Sequence, residues 1–89
     1  MFIDNAEKIC AEVLAILSER EKTHGDPVHV HERIAHEWSA YQWNSVKPVD
    51  AAIMLAQMKL ARYGASPDRE HLLDAIGYLI IALALHDRG

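Results

Sequence analysis

From Leu72 to Leu85 the chain is apolar almost without interruption, broken mainly by Asp74 and Gly77. At helical periodicity such a segment has no polar side, so it must be surrounded, either at the centre of a bundle or at a subunit interface. It is too short to span a bilayer, which takes about 20 apolar residues. Gly77 in mid-helix costs about 1 kcal/mol relative to alanine, and a close helix–helix approach is the simplest compensation.

Three more helical segments precede it. The first is expected from about Asn5 to Lys22, started by Asp4 with Glu7 and carrying the stripe Ala6, Ile9, Cys10, Val13, Ile16 and Leu17. Gly25 ends it and Pro27 restarts a helix that runs to about Tyr41, with Val30, Ile34, Trp38 and Tyr41 on one face. His29, Glu32, Arg33 and His36 fall on the other. The third spans about Val49 to Tyr63, with Val49, Ile53, Ala56, Leu60 and Tyr63 aligned, and Gly64 stops it. Ser66 and Pro67 read as the N-cap and first residue of the fourth helix, which continues to about His86. No strand-like alternation, repeat or low-complexity segment appears. The pattern predicts an all-α, compact bundle of about four helices, one domain over residues 1–89, with mostly antiparallel neighbours. Its core is expected to hold Val13, Leu17, Ile34, Trp38, Ile53, Leu60, Ile76 and Leu79.

Size and composition bound the rest. A chain of 89 residues buries only about two-thirds of its unfolded surface, and a single cysteine, Cys10, allows no internal disulfide. With hydrophobic residues at 51%, self-association is the remaining way to bury apolar surface, so a homo-oligomer is expected through the fourth helix. Cys10, in an apolar stretch, reads as a small core residue in a reducing compartment. The formal charge of −4 argues against a surface that coats nucleic acid generically. No targeting or membrane segment is evident, which makes the expected location cytoplasmic.

Function is most visible where polar residues interrupt apolar faces. Arg20 shares a face with Val13, Ile16 and Leu17. It either pairs with Asp26 or caps the helix, or it points inward to hold a phosphate. Lys59 and Arg62 sit near one another on the third helix beside Ala52, Leu55 and Met58, as snorkelling cations or as a phosphate clamp. Glu70, His71, Asp74 and Tyr78 form the fourth helix's polar stripe. A buried Asp74 needs a cation, and Lys59 or Arg62 is the obvious partner. Arg20, Asp26, Lys59, Arg62, Asp74 and Tyr78 are therefore expected to converge. His31 borders Ile34 and Trp38, as a pocket residue or a satisfied core histidine. His31 and His36 are five apart and do not make the H-E-x-x-H zinc motif. No glycine-rich phosphate loop, G-x-S-x-G or C-x-x-C is present, so covalent catalysis by Ser or Cys has no support.

Taken together, Ser18-Glu19-Arg20 with His24-Gly25-Asp26, Ile34 through Tyr41, Met58 through Arg62 and Asp74 through Tyr78 resemble a family of small all-α phage and prophage proteins of unassigned function. More distantly the arrangement is similar to the all-α NTP pyrophosphatases of the MazG type, which hold magnesium with E-x-x-E and E-x-x-D pairs. Glu32 with Glu37 and Glu70 with Asp74 do not reproduce those spacings. The resemblance implies nucleotide handling, and the residues suit binding a phosphorylated ligand better than cleaving one, so enzymatic activity is not the leading expectation.

Three readings follow. The first is a phage-type helical protein that sequesters a nucleotide or other phosphorylated ligand, with Arg20, Lys59 and Arg62 on phosphate and Trp38, Tyr78 or His31 on a base. The second, next in order, is an interaction or anti-host-defence module that docks a host protein without a small ligand. The third is a MazG-like pyrophosphatase using Mg²⁺ on Asp26, Asp74 and Glu70.

Overall fold

The computed structural model describes all 89 residues and contains four α-helices and no strand. They are α1 (Phe2–His24), α2 (Pro27–Gln42), α3 (Pro48–Ala65) and α4 (Arg69–Asp87). α3 and α4 pack against each other most extensively, and α4 also touches α1 and α2, so the apolar helix contacts every other element while its face through Leu72, Ile76, Leu79 and Leu83 stays uncovered. No helix is long and apolar enough to cross a membrane.

The ends of the helices follow local chemistry. α1 begins at Phe2, earlier than the Asp4 cap predicts, and Asp4 instead accepts from the Met1 ammonium in the first turn at 2.9 Å. Gly25, at φ 88° and ψ −175°, takes a positive-φ extended conformation essentially open only to glycine, and its N–H donates to the Glu21 carbonyl and closes α1. Asp26 caps α2 by accepting from the Val28 N–H at 2.9 Å. α3 runs through Gly64 to Ala65, because a glycine weakens a helix without forbidding it. Asp68, not Ser66, caps α4, its carboxylate accepting from the Glu70 N–H at 3.0 Å. Trp43 ends α2 in the left-handed region at φ 58°, a conformation costly for any side chain. Trp43→Gly is expected to raise stability by about 0.5–1 kcal/mol, measured by urea unfolding, because the indole is exposed and the strain relieved outweighs the extra conformational entropy that glycine loses on folding.

The core is built from small residues. Ala51, Ala52 and Ala56 of α3 are buried, as are Ala75, Gly77 and Ala82 of α4, together with Leu73, Ile81 and Leu85. Ala52, Ile81, Ala82 and Leu85 form one cluster, against which Leu17, Val28, Val49 and Tyr78 pack. Alanines at the contact let two helix axes approach closely. This corrects the expected core. Val13 is buried and Leu17, Ile34 and Trp38 are half-buried, but Ile53, Leu60, Ile76 and Leu79 lie on the outside. Tyr41 and Ile9 are also exposed, as is Cys10, so the thiol is not a core residue. The buried face of α3 is the one with little side-chain volume, set against Ile81 and Leu85 of α4, while Ile53 and Leu60 of α3 and Ile76 and Leu79 of α4 are turned outward.

Candidate functional site

Asp74 is the one carboxylate on the inner side of α4, and two cations meet it. Arg20, from the last turns of α1, donates from Nη2 to Oδ1 at 2.9 Å. Lys59, from α3, places Nζ 3.0 Å from Oδ2. The Asp74 and Lys59 side chains are only 13% and 14% exposed, whereas Arg20 keeps 41% of its side chain in solvent. Burial pushes the Asp74 carboxyl up, but the Lys59 hydrogen bond and the charges of Arg20 and Lys59 outweigh it and hold the group below its ordinary range. The triad carries two positive charges and one negative, so it leaves a cationic excess.

Beside the triad lies a cavity of about 150 Å³ lined by all four helices, whose wall includes Leu17, Arg20, His31, Leu55, Gly77 and Tyr78. His24, Gly25 and Pro27 join its lining from the α1–α2 turn. His31 is almost wholly buried. Its Nδ1–H donates to the Pro27 carbonyl at 2.8 Å, because a carbonyl oxygen can only accept. The other ring nitrogen, Nε2, is buried with no hydrogen-bond partner from the protein. Tyr78 packs edge-on against the imidazole, with ring centroids 6.0 Å apart. His31 is thus a pocket residue and not the fully satisfied core histidine: one nitrogen anchors the ring and the other is orphaned.

Gly77 lines the same cavity. A Cβ built there would meet only Leu17 Cδ2, at 3.5 Å, which is ordinary contact. Close helix packing therefore does not demand glycine here, contrary to the expectation from the sequence. What the absent methyl group leaves is space in the cavity wall.

Of the six residues expected to converge, four do: Arg20, Lys59 and Asp74 as ion pairs, and Tyr78 through the cavity it shares with Arg20. Asp26 is exposed and occupied as the α2 cap. Arg62 is exposed and outside the triad, because Lys59, one turn earlier, is the α3 cation that reaches Asp74. Trp38 lies in a neighbouring open groove on α2, which shares His24, Val30 and Ile34 with the cavity lining. Asp26, Glu70 and Asp74 do not form a metal site. No group of three or more His, Cys, Asp or Glu side chains could hold an ion; Glu70 is exposed in the first turn of α4, and Asp74 is held by its two cations.

Two contacts escaped the sequence. Arg69 grips both oxygens of Glu12 at 2.7 and 2.6 Å, tying α4 to α1, and this hydrogen bonding lowers the Glu12 pKa and raises that of Arg69. Ser39 accepts from the Val46 N–H and donates to the Ala35 carbonyl, both at 2.7 Å, which fixes the turn after α2. Neither has a signature in residue spacing, since each joins groups that only the fold brings together.

No curated protein and no solved structure matches this chain. The family described as a domain of unknown function (DUF6378) matches residues 8–86, from α1 to the last turn of α4 and including every residue of the triad and the cavity, and the chain belongs to that family.

Proposed function

We propose that this protein binds a small phosphorylated ligand, such as a nucleotide or sugar phosphate, at the Arg20–Lys59–Asp74 triad and the adjoining cavity. The observation that carries the reading is the buried, unpartnered Nε2 of His31 in the wall that also holds the Arg20 guanidinium. An orphaned buried polar nitrogen costs about 1–3 kcal/mol, and a ligand hydroxyl, which can donate or accept, would satisfy it once the ring turns toward the cavity. Arg20 spends one Nη2 bond on Asp74, and its remaining donors suit an anion. A ligand with a hydroxyl near a phosphate answers both demands.

The dimensions narrow the class. Pockets that enclose a drug-sized ligand run to about 300–1,000 Å³, so a cavity of about 150 Å³ takes one end of a nucleotide. The rest would extend past His24 toward the groove where Trp38 offers a stacking surface. The distant similarity to MazG-type pyrophosphatases is what supports nucleotide handling in particular. Binding is favoured over magnesium-dependent cleavage because Asp74 is already neutralised by two cations and Asp26 and Glu70 stand apart from it.

The test is thermal unfolding with a panel of nucleotides, sugar phosphates and inorganic phosphate. A ligand present at 100 times its Kd is expected to stabilise the protein by about 2.7 kcal/mol. Arg20→Met should abolish that response. Gly77→Ala should separate stability from function: it raises intrinsic stability by about 1 kcal/mol through helix propensity and weakens binding by filling the cavity. A panel in which no phosphorylated compound raises the melting temperature of the parent protein would sink this reading.

A further inference from the structure

We propose that the outer face of α4 is an isologous interface at which a second copy of this chain docks antiparallel to the first. The proposal is independent of the ligand reading. Leu72, Ile76, Leu79 and Leu83 recur at intervals of four, three and four residues, the spacing of a coiled-coil seam. All four are exposed in the isolated chain, Leu79 by 50% and Leu83 by 62%. Single exposed leucines are unremarkable in a folded protein, but a continuous helical seam of them is not.

The surface area says how much must be covered. The chain exposes 6460 Å², about 1,200 Å² more than the roughly 5,200 Å² expected for a folded monomer of its 10.0 kDa mass. A stable interface buries about 800 Å² per partner. The excess is therefore of the size that one dimer contact removes.

The order of side chains along the seam favours a copy of itself over an unrelated partner. With the two-fold axis between Ile76 and Leu79, Leu72 faces Leu83 of the partner subunit and the seam is complementary to itself. The same register brings Arg69 to the helix end that carries His86 and Asp87, so the positive N-terminal pole of one helix meets the negative C-terminal pole of the other. A parallel pairing would set like poles together. At about 100° per residue the seam lies across α4 from Asp74 and Tyr78, so both triads and cavities face away from the contact.

Sedimentation equilibrium at tens of micromolar is expected to give a dimer. The double variant Ile76→Glu, Leu79→Glu, which sets carboxylate against carboxylate across the two-fold axis, should be a monomer with unchanged helical circular dichroism, its dissociation constant raised at least about a hundredfold. If that variant does not fold, Leu72→Cys with Leu83→Cys in a Cys10→Ser background gives the second reading, since oxidation should join two chains. A monomeric parent protein overturns the proposal. So does a folded double variant that stays dimeric, or a double-cysteine protein that forms no interchain bond.

Discussion

Asp74→Leu is expected to lower the stability of this protein by about 3 kcal/mol, the cost of stranding a buried cation whose partner has been removed. For a chain of 89 residues that corresponds to a fall in melting temperature of roughly 12–24 °C. The penalty falls mainly on Lys59, because Arg20 is exposed enough to turn back to water. Making Lys59→Met and Asp74→Leu together is expected to recover most of the loss, since apolar side chains of similar shape can replace a buried ion pair at little net cost. The pH dependence has a definite sign. The folded pKa of Asp74 is depressed, so its contribution is fully present above the unfolded value near 3.9 and is lost as pH falls through the lower folded value. Denaturant unfolding of the parent and Asp74→Leu proteins should therefore converge at acid pH. A single variant as stable as the parent would show that the triad adds nothing to the fold.

Ala52→Leu is expected to cost about 3 kcal/mol, the upper end for overpacking, measured by the same unfolding experiment. Ala52 is fully buried between α3 and α4 and clusters with Ile81, Ala82 and Leu85. A leucine there meets helix where it needs space, and the two axes must separate. Ile53→Leu, one residue along on the exposed side, should be close to neutral. If Ala52→Leu is equally mild, α3 and α4 do not pack through their small residues.

The number and order of the helices are legible in the sequence because Gly25, Pro27, Pro48 and the apolar block of α4 punctuate it strongly. Which way α3 and α4 face is not. Val49, Ile53, Ala56, Leu60 and Tyr63 make one plausible stripe and Ala51, Ala52, Leu55 and Ala56 another, and hydrophobic bulk selects the first. The helices use the second, because close approach rewards small side chains. Asp74 and Arg20 could be singled out because each is charged on a face that should not be. The choice of Lys59 over Arg62 depends on a rotation of α3 that spacing alone leaves open. The orphaned Nε2 of His31 is invisible in sequence altogether, since it depends on which nitrogen the Pro27 carbonyl engages.

The concentration of packing between α3 and α4 also has a kinetic meaning. These helices are neighbours in the chain, joined by a short turn, so their contacts close a small loop and can form early in folding. α1 docks on α4 with far less buried surface, Val13 being its one fully buried side chain. Elements with few buried contacts open at lower free energy than the whole molecule, so amide exchange should be fastest in α1 and slowest along the α3–α4 pair. When α1 lifts, it carries Arg20 from Asp74 and Leu17 from Gly77. The cavity then lies open along the side that α1 had covered, while the α3–α4 pair stays folded beneath it.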